Sequence, residues 1–186
     1  MATFHVPTRD HVTDANKAVF DQLEKGLGFV PNLYATLALN DTALPDYLAL
    51  QNRTSTLKAK EREVVNLVVS QVNECAYCLA AHTALGKMNG FTEAQTIEIR
   101  TGRATFDPKL DALARFVKQT AERRGKPSVD ATDELLAAGY TQANLVDVIL
   151  TIGDKIVTNY LHGVTQIPVD FPAAPALTGE PALAEA

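Results

Sequence analysis

No stretch of this 186-residue sequence approaches the roughly 18 consecutive apolar residues of a membrane-crossing helix. The start, MATFHVPTRDHVTD, has no apolar run following a basic segment, so no export signal is read there. A basic stripe is missing too. Lysine and arginine number 17 against 22 acidic residues, a formal charge of -5, which argues against binding nucleic acid or an anionic membrane surface. Cysteine is almost absent, with two in the whole chain, so the fold is expected to stand without disulfide staples, in the cytoplasm. Sustained strand-type alternation is lacking, which leaves an all-α fold. No internal repeat and no second domain are evident.

What is present is the balance of an ordinary folded domain, with 46% hydrophobic and 21% charged residues. Helix punctuation is frequent. Thr13 or Asp14 opens a helix that Gly28 closes; Pro31 heads a short apolar one; Pro45 falls in the first turn of the next. From Lys58 to Val72, apolar residues 64, 65, 67, 68, 69 and 72 wrap most of a helix, which is expected to be buried. Its polar stripe runs Glu63, Asn66, Ser70 and Asn73. Thr92 and Gln95 form a capping box, and Asp107-Pro108 starts a helix, running toward Gly125, whose polar residues read as solvated.

A short helix follows in ATDELLAAG, and then a long one whose Leu145, Val146, Val148, Ile149, Leu150, Ile152, Ile156, Val157 and Tyr160 exceed one amphipathic stripe. That surplus predicts a homo-oligomer. His162, near its end, reads as a residue favoured by the helix dipole, while His5 and His11 receive no role. The expected organisation is one helical domain over residues 1–167 and an extended or disordered Pro/Ala-rich arm over 168–186, which contains no lysine or arginine.

Both cysteines lie in NECAYCLAAHTALGKMNG, residues 73–90. Two randomly placed cysteines would stand three apart in about 1% of such chains, so the spacing points to redox or metal chemistry, with inert buried thiols as the bland alternative. Zinc is disfavoured because a structural site recruits a second close Cys or His pair, and this chain has none. No metal or cofactor is expected.

With residues 75–85 helical, Cys75, Cys78 and His82 share one face, and the cysteine Cα atoms stand roughly 5 Å apart, within disulfide reach. A first-turn position favours thiolate, and His82, one turn after Cys78, is placed to pass a proton. A carboxylate behind the histidine would orient the ring and stabilise its charged form. Glu74 abuts Cys75 and by charge disfavours its thiolate; Glu63 lies on the polar stripe of the preceding helix. By itself Glu63 reads more readily as a solvated first-turn acid than as a catalytic one.

Glu63, eleven residues, Cys75, two residues, Cys78, three residues, His82: this spacing resembles the alkylhydroperoxidase D-like motif of the carboxymuconolactone decarboxylase superfamily. The resemblance extends from about Gly28 to Ile167 and weakens away from the motif. It implies an all-helical homotrimer or homohexamer whose cysteine pair reduces hydroperoxides, an antioxidant activity, or relays electrons from a dithiol or protein thiol donor. Some members carry a histidine between the cysteines where this chain has Tyr77, a poor base at neutral pH. Cys78 is assigned as the attacking sulfur and Cys75 as the resolving one, with the reverse left open because the N-terminal thiol of such pairs is often the more exposed. Two rivals stand beside this reading. One is lactone decarboxylation, which needs acid–base residues and no thiols; the other is a non-enzymatic redox-sensing oligomer.

Overall fold

The structure, a computed structural model, describes residues 4–177. The expected terminal arm lies outside the described residues from 178 onward. Thr13 accepts a hydrogen bond from the Asn16 N–H and opens α1 (Asp14–Leu27), which ends at Gly28 in the left-handed region at φ 84°, a conformation that suits a residue without Cβ. Pro31 heads α2 (Asn32–Leu37), and Pro45 sits in the first turn of α3 (Ala43–Gln51). These helices share a small core of Phe20, Ala35, Ala38 and Leu44.

The second half is built around α4 (Ala59–Val72). Its Val64, Val65, Leu67, Val68 and Val69 are fully buried, as the wrapped apolar pattern requires, and β-branched residues are tolerated in this helix because packing outweighs propensity. Against it pack α5 (Ala76–Met88), α6 (Glu93–Arg100), α7 (Pro108–Glu122) and α9 (Gln142–Thr165), with α8 (Val129–Ala137) on α7. Gly86 lets α5 approach α6: a Cβ there would stand 3.3 Å from Thr96 Cγ2. The Thr92–Gln95 capping box forms, and the Asp107 side chain caps α7. The described residues form nine α-helices in one domain and no strand, and no single helix among them is long and apolar enough to cross a membrane.

Two polar residues of α7 depart from the solvated expectation: Thr120 is buried and donates to the Phe116 carbonyl, and Asp111 holds the preceding loop. Asp111 is buried, accepts from Arg103, Arg115 and the Ala104 N–H, and is held below the usual carboxylate range by these partners despite burial. The helix dipole had no need of it; the α6–α7 loop did.

After α9 the chain turns at Gln166, buries Ile167 and runs on without regular secondary structure. The Asn32 N–H donates to Asp170 Oδ2 at 2.7 Å, and Phe171 stacks edge-on to Phe29 and Tyr77. Residues 168–171 are therefore a strap lying on α2 and the start of α5, and further along Arg100 of α6 donates to the Pro175 carbonyl.

Candidate active site

The site begins where α4 stops. Glu74 takes a left-handed φ of 52°, its N–H donates to the Gln71 carbonyl, and the Cys75 N–H donates to the Ser70 carbonyl. That pair of bonds is the Schellman closure of a helix, with glutamate where glycine is usual. Cys75 then serves a second helix at once. It is the N-cap of α5, and its Sγ accepts from the Cys78 N–H at 3.3 Å. Cys75 thus precedes the helix, where the spacing had placed it inside. Both cysteines are free thiols and both are 2% exposed, among Leu33, Tyr77 and Ile167, with Val6, Val169 and Phe171 packed over them.

Glu63 and His82 come together in the interior. His82 Nδ1 lies 2.9 Å from Glu63 Oε2, and Asn66 Nδ2 donates to Glu63 Oε1 at 3.3 Å. The first-turn capping role belongs instead to Glu61, itself buried, which accepts from the Lys58 N–H. Burial pushes the Glu63 carboxyl up, but the imidazole of His82, with Lys155 and Asn66, brings it below the usual range.

The other ring nitrogen of His82 has a partner that the sequence did not announce. Lys155 Nζ, from α9, lies 3.1 Å from His82 Nε2. Burial opposes the Lys155 charge, yet Asp154, Cys78, Tyr34 and Glu63 raise its pKa above the ordinary lysine value. The tautomer follows: Nδ1 carries the proton toward an ionised acceptor, and Nε2 takes an N–H from an ammonium. His82 spends both nitrogens this way, so the ring can pass a proton toward the sulfurs only when the Lys155 bond at Nε2 is given up. The Cys78 thiol is brought down to about 6, first by the Cys75 thiol beside it, then against burial by Lys155, His82 and Asn159. Cys75 moves up, because its neighbour's negative charge and burial both disfavour a second thiolate.

Lys155 was legible as a polar stripe. Asp147, Thr151, Asp154, Lys155, Thr158, Asn159 and His162 recur at helical spacing and are all buried, while Val146, Ile149, Leu150, Val157, Tyr160 and Val164 of the same helix face outward. The polar stripe of α4 meets this one: Asn73 donates to Asn159, and Asn159 to Ser70. His162 stands in the last turn of α9, as the dipole reading expected, and is buried. It packs against the Tyr77 ring, bonds the Ile167 carbonyl through Nε2, and burial lowers its pKa. Tyr77 accepts from the Leu33 N–H and supports the strap through Phe171. Among the described residues no group of three His, Cys, Asp or Glu side chains is arranged to hold a metal ion.

Residues 42–119 match the carboxymuconolactone decarboxylase family, a span that contains Glu63, Cys75, Cys78 and His82 and ends before α9. The fold is that of an alkylhydroperoxidase AhpD core, a peroxidase-related protein from Ralstonia eutropha, at TM-score 0.78 and 20% identity over 87% of this chain and 88% of that one. A peroxidase-related protein from a Silicibacter species superposes at TM-score 0.76 and 21% identity, over 96% and 94%. The debrominase Bmp8, in complex with 2,3,4-tribromopyrrole, does so at 0.72 and 14%, over 91% and 93%. Among curated proteins none matches. The matched span and the alkylhydroperoxidase D-like fold agree with what the motif spacing implied.

Proposed function

We propose that this protein is a thiol-dependent peroxidase or disulfide reductase that cycles Cys75 and Cys78 between dithiol and disulfide, with Glu63 and His82 handling the proton. The observation that carries this is the buried Glu63–His82 pair, with His82 one turn after Cys78 and both thiols free; the surroundings of Cys78 also favour its thiolate. The Cys78 sulfur attacks the outer oxygen of a hydroperoxide. An S–O bond forms, the O–O bond breaks, and the leaving oxygen takes a proton and departs as an alcohol. Cys75 then loses its proton and attacks the sulfenic sulfur, forming S–S and releasing water. An external dithiol or protein thiol restores the pair by exchange and leaves as its own disulfide. The setting is cytoplasmic, where such donors are available.

The reading includes a homotrimer or homohexamer. Val146, Tyr160 and Val164, 58%, 60% and 72% exposed, form part of an outward apolar stripe along α9 that a second copy would cover. A second reading has an observation of its own, since Glu63, His82 and Lys155 are acid–base groups in a family named for lactone decarboxylation. Peroxide consumption with dithiol reductants, in the wild type and in Cys75→Ser and Cys78→Ser, separates the cases. Turnover lost in both variants supports the thiol cycle. Lactone decarboxylation that survives thiol blocking supports the second, and oxidation that changes assembly with no turnover supports a sensor.

A further inference from the structure

A relay of Glu63 and His82 alone gives Lys155 no task, yet at 2% exposure it is the most deeply buried charged side chain among the described residues. A lysine so placed ordinarily sheds its proton or is paired. Here acidic and polar groups face it from every side: Asp154 on its own helix, Cys78 and His82 on α5, Glu63 on α4 and the Tyr34 phenol on α2. Its N–H reaches His82 Nε2 at 3.1 Å, and its charge favours the Cys78 thiolate.

We propose that Lys155 is the positioning residue of the thiol site: its ammonium holds the negative charge of the Cys78 sulfur, and its N–H to His82 Nε2 locks the imidazole with its proton on the Glu63 side. While that bond stands, the proton of His82 is committed to Glu63, and the donor groups at the inner end of the ring belong to Lys155. The residue lies outside the span shared with the family, on a helix that reaches the cysteines only through tertiary packing. The assignment rests on the thiol-chemistry reading above but does not need turnover to be tested.

The experiment is an ultraviolet thiolate titration of the reduced protein with both cysteines in place, joined to ¹⁵N imidazole NMR of His82. In the wild type the first thiolate should appear near pH 6, with the ring proton on Nδ1 and a hydrogen-bonded Nε2. Lys155→Met should move the thiolate titration up by roughly one unit or more and free Nε2; Lys155→Arg should restore much of the titration. Lys155→Gln keeps an N–H without the charge, so it should shift the titration like the Met variant while preserving the Nε2 signature in part. An unmoved titration in Lys155→Met or Lys155→Gln overturns the proposal. Should both variants fail to fold, the unsubstituted protein decides. Oxidising the pair to the disulfide removes the sulfur's charge, so by reciprocity the Lys155 ammonium, followed by ¹⁵N NMR, should titrate lower than in the dithiol form. Equal titration in the two forms overturns it. A wild type that shifts as stated but consumes no peroxide would refute the peroxidase and leave Lys155 in this role.

Discussion

Glu63→Gln removes one negative charge from beside His82 and little else. The glutamine oxygen can still accept the Nδ1–H that Glu63 Oε2 accepts at 2.9 Å. Its new amide group would face the Asn66 Nδ2, donor to donor, but Asn66 Oδ1 is buried and lacks a partner, so a flip of that amide supplies an acceptor. The fold therefore survives, at a cost of about 1 kcal/mol, the difference between a charged and a neutral hydrogen bond. Catalysis should suffer more. A lost general acid–base group slows a reaction by about 10²–10⁴-fold, or about 3–5 kcal/mol of barrier. His82→Gln should show that loss, Glu63→Gln most of it, and the double variant little beyond the worse single one, because the pair acts as a unit.

The assay is steady-state peroxide turnover with a dithiol reductant, with the thiolate titration alongside. A Glu63→Gln protein that matches the wild type in both makes Glu63 a packing residue and ends the relay. Acid stability gives an independent check with a defined sign. The folded pKa of Glu63 is lowered, so its stabilisation is present above the ordinary carboxylate pKa and lost as pH falls through the folded value. The variant's melting temperature should therefore depend less on pH in acid than the wild type's.

Mild peroxide should yield an intramolecular Cys75–Cys78 disulfide, read as the loss of two hydrogens by intact mass and placed by peptide mapping; a stable sulfenic or sulfonic acid on one cysteine counts against a paired cycle. Phe171→Ala strips the edge-on contacts to Tyr77 and Phe29, worth about 0.5–1.5 kcal/mol each, so alkylation of the buried thiols should quicken by roughly 5–150-fold; an unchanged rate means the strap does not control access. Asp147 accepts from the Thr56 N–H at 2.6 Å, the Thr56 hydroxyl and Arg53, and although burial opposes it the carboxyl is held low. Its stabilisation is present above the ordinary carboxylate pKa and lost as pH falls through the lowered value, so Asp147→Asn should destabilise at neutral pH and flatten the acid limb of the melting curve. Light scattering should find a trimer or hexamer at micromolar concentration, and Val157→Asp together with Val164→Asp should dissociate it; a wild-type monomer removes the interface reading of α9.

The helix boundaries and the motif were legible because their chemistry is local. Thr13, Gly28, the Thr92–Gln95 box and Asp107 act on N–H groups or φ angles within a few residues, so adjacent letters suffice to place them. The pairing of Glu63 with His82 spans 19 positions but crosses a single helix junction, and the polar stripe of α4 already aimed it inward. Cys75 was misplaced by one element because its N-cap position depends on Glu74 adopting the left-handed region, for which glutamate offers no cue. What the chain order could not express is the inside of α9. Lys155 meets His82 across 73 positions, and His162 meets Tyr77 only where α9 packs on α5. A helix with polar residues on one side and apolar ones on the other does not say which side faces the core. That was decided by the charge and hydrogen-bonding groups of α4 and α5, since Asn159, Lys155 and Asp147 find partners only when turned inward, while the apolar stripe is left to the surface.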